Sequence, residues 1–364
     1  MEEKKLTMKD YVIETPKVVL ENIERSKELT NKLVEEYLKK DFKRVVIVAS
    51  GSSYNGSLCA VEFLKKVLKK EIKVISPFTF TYFDNDYDEN DFIIVISQSG
   101  RSTNSIDAIN TIKSKGLRTI GITGNVHSDF EDVCDVVVDY GVGIEKVGMV
   151  TKGVVTLTLF LMLSAVEIQI RKGLMSAEEG NDWKNAMRKS MDAHKQLQQS
   201  TFEFIEKHKK ELTSMHNVWL ISAGSNLSTI IEGALKIGES VKIHATAYES
   251  EEFLHGPVFP LNPDYVVFIY DTNKSEKASE RIHQIYQGVK GVTDKVYMIT
   301  DKPQIGEDVI STSVSIPEEI LPLAYLAVAP LLAEYSSQAL ETKYHPLFSN
   351  LWKAVEIKTK KKEN

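Results

Sequence analysis

Residues 91–106 read DFIIVISQSGRSTNSI, and this stretch decides the fold. The apolar run 92–96 is typical of a buried β-strand, and a helical pattern begins at about Thr103, after the polar turn 97–100. A strand that turns into a helix presents free backbone N–H groups and the positive end of the helix dipole at one corner. The serine hydroxyls of the turn and of Ser102 add uncharged donors, so the corner fits a small dianion such as a phosphate monoester. The alternative is an ordinary helix N-cap, where Ser, Thr and Asn are favoured in any case.

The composition bounds the class of protein. The chain has 364 residues, enough for about two domains, and its net charge of −6 argues against a nucleic-acid binder. The two cysteines, Cys59 and Cys134, have neither metal-like nor redox spacing, so no metal site is predicted and a reducing compartment fits. The first residues hold no apolar signal core. The longest apolar run, 154–166, is shorter than the roughly 20 residues that span a bilayer, so we expect a buried helix in a cytoplasmic protein without a membrane partner.

Strand-like and helix-like runs alternate along the first half of the chain. Residues 8–39 predict helix, with Pro16 expected to break it near its start. Near-continuously apolar strands are predicted at residues 44–49, 72–76, 91–96, 119–123 and 136–139. Such a pattern indicates an α/β domain with a parallel sheet covered by helices on both faces.

The same pattern recurs later in the chain. Residues 45–52 match 218–225, and residues 91–96 match 264–269, each at an offset of 173. Two equal offsets at strand–turn junctions predict two copies of one doubly wound domain. In the second copy the polar turn becomes Tyr270-Asp271-Thr272-Asn273, where Asp271 would repel a phosphate, so only the first copy is predicted to keep the anion site.

The repeat suggests five segments. They are an N-terminal helical segment (1–40), a first domain that anchors the ligand (41–175), a helical connector (176–210), a second domain (211–345) and a C-terminal tail (346–364).

The second copy holds the residues suited to proton transfer. Glu232, Lys236 and Glu239 share one helix face, although a solvated, salt-bridged face is the usual meaning of such spacing. His255 precedes Gly-Pro, which constrains its backbone. A carboxylate base can move a proton between adjacent carbons of an open-chain sugar, and a histidine can protonate the ring oxygen to open it. No Gly-Lys-Ser/Thr loop and no GxGxxG occur, so neither a nucleotide nor a nicotinamide cofactor is predicted.

Four motifs in order, at residues 51–55 (GSSYN), 97–100 (SQSG), 232–236 (EGALK) and 255–257 (HGP), resemble the sugar-isomerase (SIS) family. The resemblance extends to the isomerase half of glutamine–fructose-6-phosphate aminotransferase and to the fructosamine-6-phosphate deglycases. It implies two tandem flavodoxin-like domains with parallel sheets. The glutamine-hydrolysing half is not seen in this chain, so free ammonia or an amine is the expected nitrogen partner.

The resemblance also implies a role for each matched residue. Ser53, Ser97, Gln98, Ser99 and Ser102 would hold a sugar 6-phosphate; Gly51, Ser52, Glu232 and Lys236 would line the sugar; Glu239 would be the base, His255 would open the ring, and Lys353 would approach the carbonyl carbon. In the family this histidine reaches the neighbouring subunit's site, which implies a homodimer with a shared active site. The alternative for Lys353 is an ordinary residue of the basic tail.

Some positions depart from the family pattern. Val150 stands where the family has a substrate-binding serine, Arg101 replaces an acidic residue, and residues 344–349 are unlike the synthase. These changes surround the sugar and leave the phosphate residues intact, so the substrate is expected to differ from that of the synthase.

Three functions fit these features. The first is an enzyme on a 6-phosphorylated amino sugar or fructosamine adduct, with release of an amine favoured because the glutaminase half is missing. The second is a plain aldose–ketose phosphosugar isomerase. The third is a non-catalytic sugar-phosphate sensor, which the presence of Glu239, His255 and Lys353 disfavours.

Overall fold

The structure is a computed structural model that describes residues 6–302, 306–342, 351 and 354–359. These residues form two compact units, each assembled from separate parts of the chain. The first sheet unit comprises residues 21–145 and 156–184 with the described part of the C-terminal tail. The second sheet unit comprises residues 6–20, 146–155 and the described residues from 185 to 342. The five linear segments suggested by the sequence stay a prediction.

The first sheet unit is built on a five-stranded parallel sheet. Its strands are β1 (Arg44–Ala49), β2 (Glu71–Ile75), β3 (Asp91–Ile96), β4 (Ile120–Thr123) and β5 (Val136–Asp139). They lie in the order β2-β1-β3-β4-β5, with Ala49 beside Ile96 where β1 and β3 end. In this doubly wound order ligands bind where the strand order reverses, here at the carboxyl ends of β1 and β3.

The second sheet unit repeats this topology. Its strands are β6 (Asn217–Ser222), β7 (His244–Glu249), β8 (Val266–Tyr270), β9 (Val296–Thr300) and β10 (Val309–Ser311). They lie in the order β7-β6-β8-β9-β10, all parallel, so each strand has a counterpart in the first sheet. The α/β fold with two tandem parallel-sheet domains is therefore confirmed.

Helices flank the two sheets. They are α1 (Met8–Glu24), α2 (Ser26–Tyr37), α3 (Gly51–Leu68), α4 (Pro77–Tyr82), α5 (Thr103–Ser114), α6 (Phe130–Val133), α7 (Lys152–Arg171), α8 (Ala177–Lys207), α9 (Lys209–Ser214), α10 (Asn226–Val241), α11 (Ser250–Leu254), α12 (Glu276–Lys290), α13 (Leu321–Tyr325) and α14 (Val328–Ala339). A short 3₁₀ turn, Glu318–Ile320, precedes α13.

Helix α1 runs through Pro16, so the predicted break was wrong. Proline lacks the N–H that would bond the carbonyl four residues earlier, which here belongs to Val12. The side-chain amide of Gln198 donates to that carbonyl oxygen at 2.9 Å. A distant side chain thus supplies the hydrogen bond that the helix itself cannot make, and this partner has no local signature in the sequence.

The cores lie between each sheet and its helices. In the first sheet unit, residues such as Val46, Val95 and Ile109 form one apolar cluster. In the second, Ile221, Ile269 and Met298 belong to the equivalent cluster. Among the described residues, two helical stretches, 152–171 and 318–339, are long and apolar enough to cross a membrane, but 94% of an 18-residue apolar window in each is buried inside the protein. The apolar run 154–166 is accordingly a buried helix, as predicted.

Candidate functional site

The corner between β3 and α5 closes around a glycine. Gly100 has φ +63°, a conformation that favours glycine, and a Cβ there would lie 1.8 Å from Ser128 Oγ. At this corner the hydroxyl of the buried Ser97 lies 3.0 Å from that of Ser102, the residue just before α5. Residues 97–102 therefore bring two hydroxyls together at the N-terminal end of a helix, as the sequence predicted.

The backbone donors of this corner are less available than predicted. The N–H of Gly100 donates to the carbonyl of Ser97 at 3.0 Å, and that of Arg101 donates to Ser99 Oγ at 3.3 Å. The N–H of Thr103, the first residue of α5, donates to the carbonyl of Ile357 at 3.3 Å. The expectation of free N–H groups was wrong at these three positions, and the hydroxyls become the main donors.

Gln98 is fixed on both its backbone and its side chain. Its carbonyl accepts hydrogen bonds from Thr123 Oγ1 and from the N–H of Gly124, both at 3.0 Å. Its side-chain amide donates to Glu145 Oε2 at 2.8 Å. A phosphate would therefore compete with Glu145 for the Gln98 amide, a competition that the sequence did not reveal.

A second corner, between β1 and α3, lies beside the first. Gly51 has φ +55°, and no atom lies within 4 Å of where its Cβ would be, so the space in front of it is open. Ser53 is half-buried in the first turn of α3. The side-chain amide of Asn104 on α5 donates to Ser50 Oγ at 3.0 Å and ties the two corners together. The structure thus gathers Gly51, Ser52 and Ser53 with residues 97–102 within the first sheet unit.

The second sheet unit contains the predicted charged cluster on α10. Glu232 and Lys236 are each about 1% exposed, and Lys236 Nζ lies 3.0 Å from Glu232 Oε1 and 2.5 Å from Glu239 Oε1. The Glu239 side chain is 32% exposed. The interpretation as a solvated, salt-bridged face is therefore wrong for Glu232 and Lys236, because both lie in the interior.

Lys236 stays protonated in this cluster. Burial lowers the pKa of its ammonium, but the carboxylates of Glu232 and Glu239 outweigh burial, and the net shift raises the pKa above its ordinary value. A buried ammonium between two carboxylates holds both in fixed positions. The arrangement therefore orients Glu239 with one oxygen on Lys236 while part of its side chain reaches solvent.

His255 follows α11 in the second sheet unit and is exposed. Its N–H donates to the carbonyl of Glu252 at 3.1 Å, and the next residue, Gly256, has φ +138°. The side chain of Glu249 caps α11 by accepting hydrogen bonds from the N–H groups of Glu251 and Glu252 at 2.8 and 3.0 Å. The backbone around His255 is therefore fixed while its imidazole is open to solvent. Lys353 lies outside the described residues, and its role stays a prediction.

The corner of the second sheet unit that corresponds to residues 97–102 is filled by the protein's own acids. Asp271, at the end of β8, is 2% exposed. Its Oδ2 accepts hydrogen bonds from Ser279 Oγ at 3.0 Å and Thr300 Oγ1 at 2.9 Å, and it lies 3.2 Å from His283 Nε2. The sequence predicted that Asp271 would exclude a phosphate, and the structure adds that this carboxylate already uses the local donors.

Glu318 closes the same corner from the other side. Its Oε1 accepts a hydrogen bond from the N–H of Ser225 at 2.9 Å, and its Oε2 accepts one from Thr272 Oγ1 at 2.8 Å. A Cβ on Gly224 would lie 2.4 Å from Glu318 Oε1. A carboxylate thus occupies the position between the β6 and β8 corners where the fold would bind a ligand. Sequence reasoning missed Glu318, because it lies 46 residues beyond its partner Thr272.

One family model matches part of the chain. Residues 38–166, which include all of β1–β5, match the family model described as SIS domain. The chain is 28% identical over 311 residues to a glutamine–fructose-6-phosphate aminotransferase from Caldanaerobacter subterraneus subsp. tengcongensis, an alignment covering 81% of this chain and 50% of the relative. The chain spans about half the length of the curated relatives it matches.

Solved structures share the fold across both units. A candidate phosphosugar isomerase from Clostridium difficile 630 superposes with a TM-score of 0.89 at 24% identity, covering 98% of this chain and 99% of the other. The C-terminal domain of glucosamine-fructose-6-phosphate aminotransferase from Francisella tularensis superposes with a TM-score of 0.80 at 19% identity, covering 93% and 98%. Residues 38–166 are thus similar to an SIS domain, and both units share their fold with these solved structures.

Proposed function

We propose that this protein is a phosphosugar enzyme that binds a sugar 6-phosphate at residues 51–53 and 97–102 and transfers a proton between C1 and C2. The observation that carries the proposal is the α10 cluster, in which a buried, protonated Lys236 fixes the partly exposed carboxylate of Glu239 at 2.5 Å. A surface ion pair would contribute little and would not need a fully buried lysine. A general base, in contrast, needs a carboxylate held in one orientation.

In this proposal the residues divide the chemistry between them. The hydroxyls of Ser97, Ser99 and Ser102 hold the phosphate, and His255 protonates the ring oxygen as the ring opens. Glu239 then accepts the proton from the carbon next to the carbonyl or imine and returns it to the adjacent carbon. With a fructosamine or amino-sugar substrate the double bond moves to give an imine, and water hydrolyses that imine to release the amine. With a plain sugar phosphate the same transfer interconverts aldose and ketose.

The substrate proposed is a 6-phosphorylated amino sugar or fructosamine adduct. Support comes from the SIS domain match and from Val150 and Arg101, which depart from the synthase pattern around the sugar. We also propose a cytoplasmic homodimer in which His255 serves the neighbouring subunit and Lys353 approaches the carbonyl carbon.

A direct assay tests catalysis. Glu239→Gln should lower turnover of the best substrate in a panel of amino-sugar, fructosamine and sugar 6-phosphates by roughly 10²–10⁴-fold, the usual contribution of a general base. Glu280→Gln, which makes the same change at an exposed position on α12, should keep wild-type activity. Equal turnover by wild type and Glu239→Gln would contradict the enzymatic proposal and favour a non-catalytic phosphosugar-binding protein.

A mixing experiment tests the shared site. Co-expressed Glu239→Gln and His255→Ala chains should recover roughly a quarter of wild-type activity, since half of the dimers are mixed and each mixed dimer holds one intact site. Activity no higher than that of the separate variants would contradict a site built from two subunits.

A further inference from the structure

The C-terminal tail lies across the phosphate corner of the first sheet unit. Lys358 forms an isolated antiparallel β-bridge with Ser102, and the N–H of Thr359 donates to the carbonyl of Arg101 at 3.0 Å. On the other side of the bridge, Thr103 Oγ1 donates to the carbonyl of Glu356 at 2.9 Å. Arg101 and Thr103, on either side of the bridged Ser102, therefore have hydrogen-bond partners in the described tail.

The bridge sets the direction of the Lys358 side chain. Directly opposite residues of an antiparallel pair project their side chains to the same face, with Cβ atoms roughly 4.5–5.5 Å apart. Lys358 therefore starts on the face where the Ser102 hydroxyl lies, and that hydroxyl is 3.0 Å from Ser97 Oγ. The Lys358 side chain is exposed and carries its ammonium on a flexible stem that can follow a ligand.

The five predicted phosphate ligands of the corner carry no charge, and Arg101 is the one charged residue within 97–102. Ser53, Ser97, Gln98, Ser99 and Ser102 are all neutral, and the N–H of Thr103 is used by Ile357. Hydrogen bonds in which one partner is ionised are roughly twice as strong as neutral ones, and lysine binds phosphate as a point charge. A phosphate dianion carries two negative charges, so an ammonium in addition to Arg101 would strengthen its binding.

We propose that Lys358 is a further phosphate-binding residue, which the docked tail brings to the anion corner of its own unit. This inference rests on the proposed function, because it assumes that the corner binds a sugar phosphate. It gives the tail a role separate from that predicted for Lys353. The tail acts through the side chain of Lys358, while its backbone hydrogen bonds to Arg101 and Thr103 hold that side chain in place.

Calorimetric titration with fructose 6-phosphate as the probe tests this proposal. Lys358→Met, which keeps the backbone and much of the side-chain length, should weaken binding about fivefold to tenfold, as expected for loss of one charge-assisted contact. Lys358→Arg should stay near wild type. Lys32→Met, which removes a charge from an exposed position on α2 of the same unit, is the matched control and should also bind as wild type does.

The salt dependence separates a charge contact from a structural effect. The difference between wild type and Lys358→Met should shrink as ionic strength rises, because salt screens an exposed ammonium. If Ser99→Ala weakens binding and Lys358→Met does not, the role of Lys358 is overturned and the phosphate site stands. If wild type binds neither fructose 6-phosphate nor any other phosphosugar tested, the phosphate site and the role of Lys358 both fail.

Discussion

The two sheet units have the same strand order, but different side chains occupy the equivalent corner in each. In the first unit, the turn after β3 presents the hydroxyls of Ser97 and Ser102, and the space before Gly51 is open. In the second, the turn after β8 holds the carboxylate of Asp271, and Glu318 fills the space before Gly224. The comparison teaches that the same corner of the fold can present hydroxyls beside open space or can satisfy its donors with an internal carboxylate.

The side chains of the two corners are expected to contribute differently to folding and to ligand binding. An internal carboxylate that accepts several buried hydrogen bonds is part of the unit's stability. Half-buried hydroxyls such as those of Ser99 and Ser102 contribute little to folding, because water can bond them when no ligand is bound. Substitutions at equivalent positions should therefore affect stability in the second unit and ligand binding in the first.

The largest difference in the free energy of unfolding is expected between variants at Asp271 and Gln98, two positions related by the offset of 173. Asp271→Ala leaves Ser279, Thr300 and His283 without their buried acceptor and should lower the free energy of unfolding by about 3–5 kcal/mol. Gln98→Ala removes a half-buried side chain and its hydrogen bond to Glu145, and should cost only about 1 kcal/mol. Urea denaturation measures both values. Equal losses would show that the two corners are built alike.

The fold was more predictable than the site. Apolar runs and the two equal offsets come from local pattern, so two copies of a parallel-sheet domain could be expected from residues such as 45–52 and 218–225. Glu318, and the tail contact to Thr103, depend on contacts between residues far apart in the chain. The helix continuing through Pro16 has the same cause, because Gln198 on a distant helix supplies the missing donor. The local sequence pattern does not predict hydrogen-bond partners that lie so far apart in the chain.

A smaller effect is expected from two glycines of the first unit. Gly100→Ala combines a positive φ with a clash against Ser128 and should destabilise the unit by roughly 2–5 kcal/mol. Gly116→Ala has a similar φ of +69° but open space around the new Cβ, and should cost only about 1–2 kcal/mol. Thermal or urea unfolding checks the difference. A Gly100→Ala variant as stable as Gly116→Ala would mean that Ser128 does not pack tightly against Gly100.

The smallest stability effect is expected at Thr272 and Ser99, again an offset-related pair. Thr272→Ala removes the hydroxyl that donates to Glu318 at 2.8 Å and should cost about 1 kcal/mol. Ser99→Ala removes only a 3.3 Å contact from the N–H of Arg101 and should leave the unfolding free energy within about 0.5 kcal/mol of wild type. A loss at Ser99 as large as that at Thr272 would make the first corner structural.

Calorimetric titration of this same pair with fructose 6-phosphate tests the central claim most directly. The open corner of the first unit and the closed corner of the second predict one bound phosphosugar per wild-type chain. Ser99→Ala should weaken that binding about tenfold, as for loss of a hydrogen bond to a charged group, while Thr272→Ala should bind as wild type does. Two bound ligands per chain, or an affinity that falls with Thr272→Ala and not with Ser99→Ala, would contradict the account.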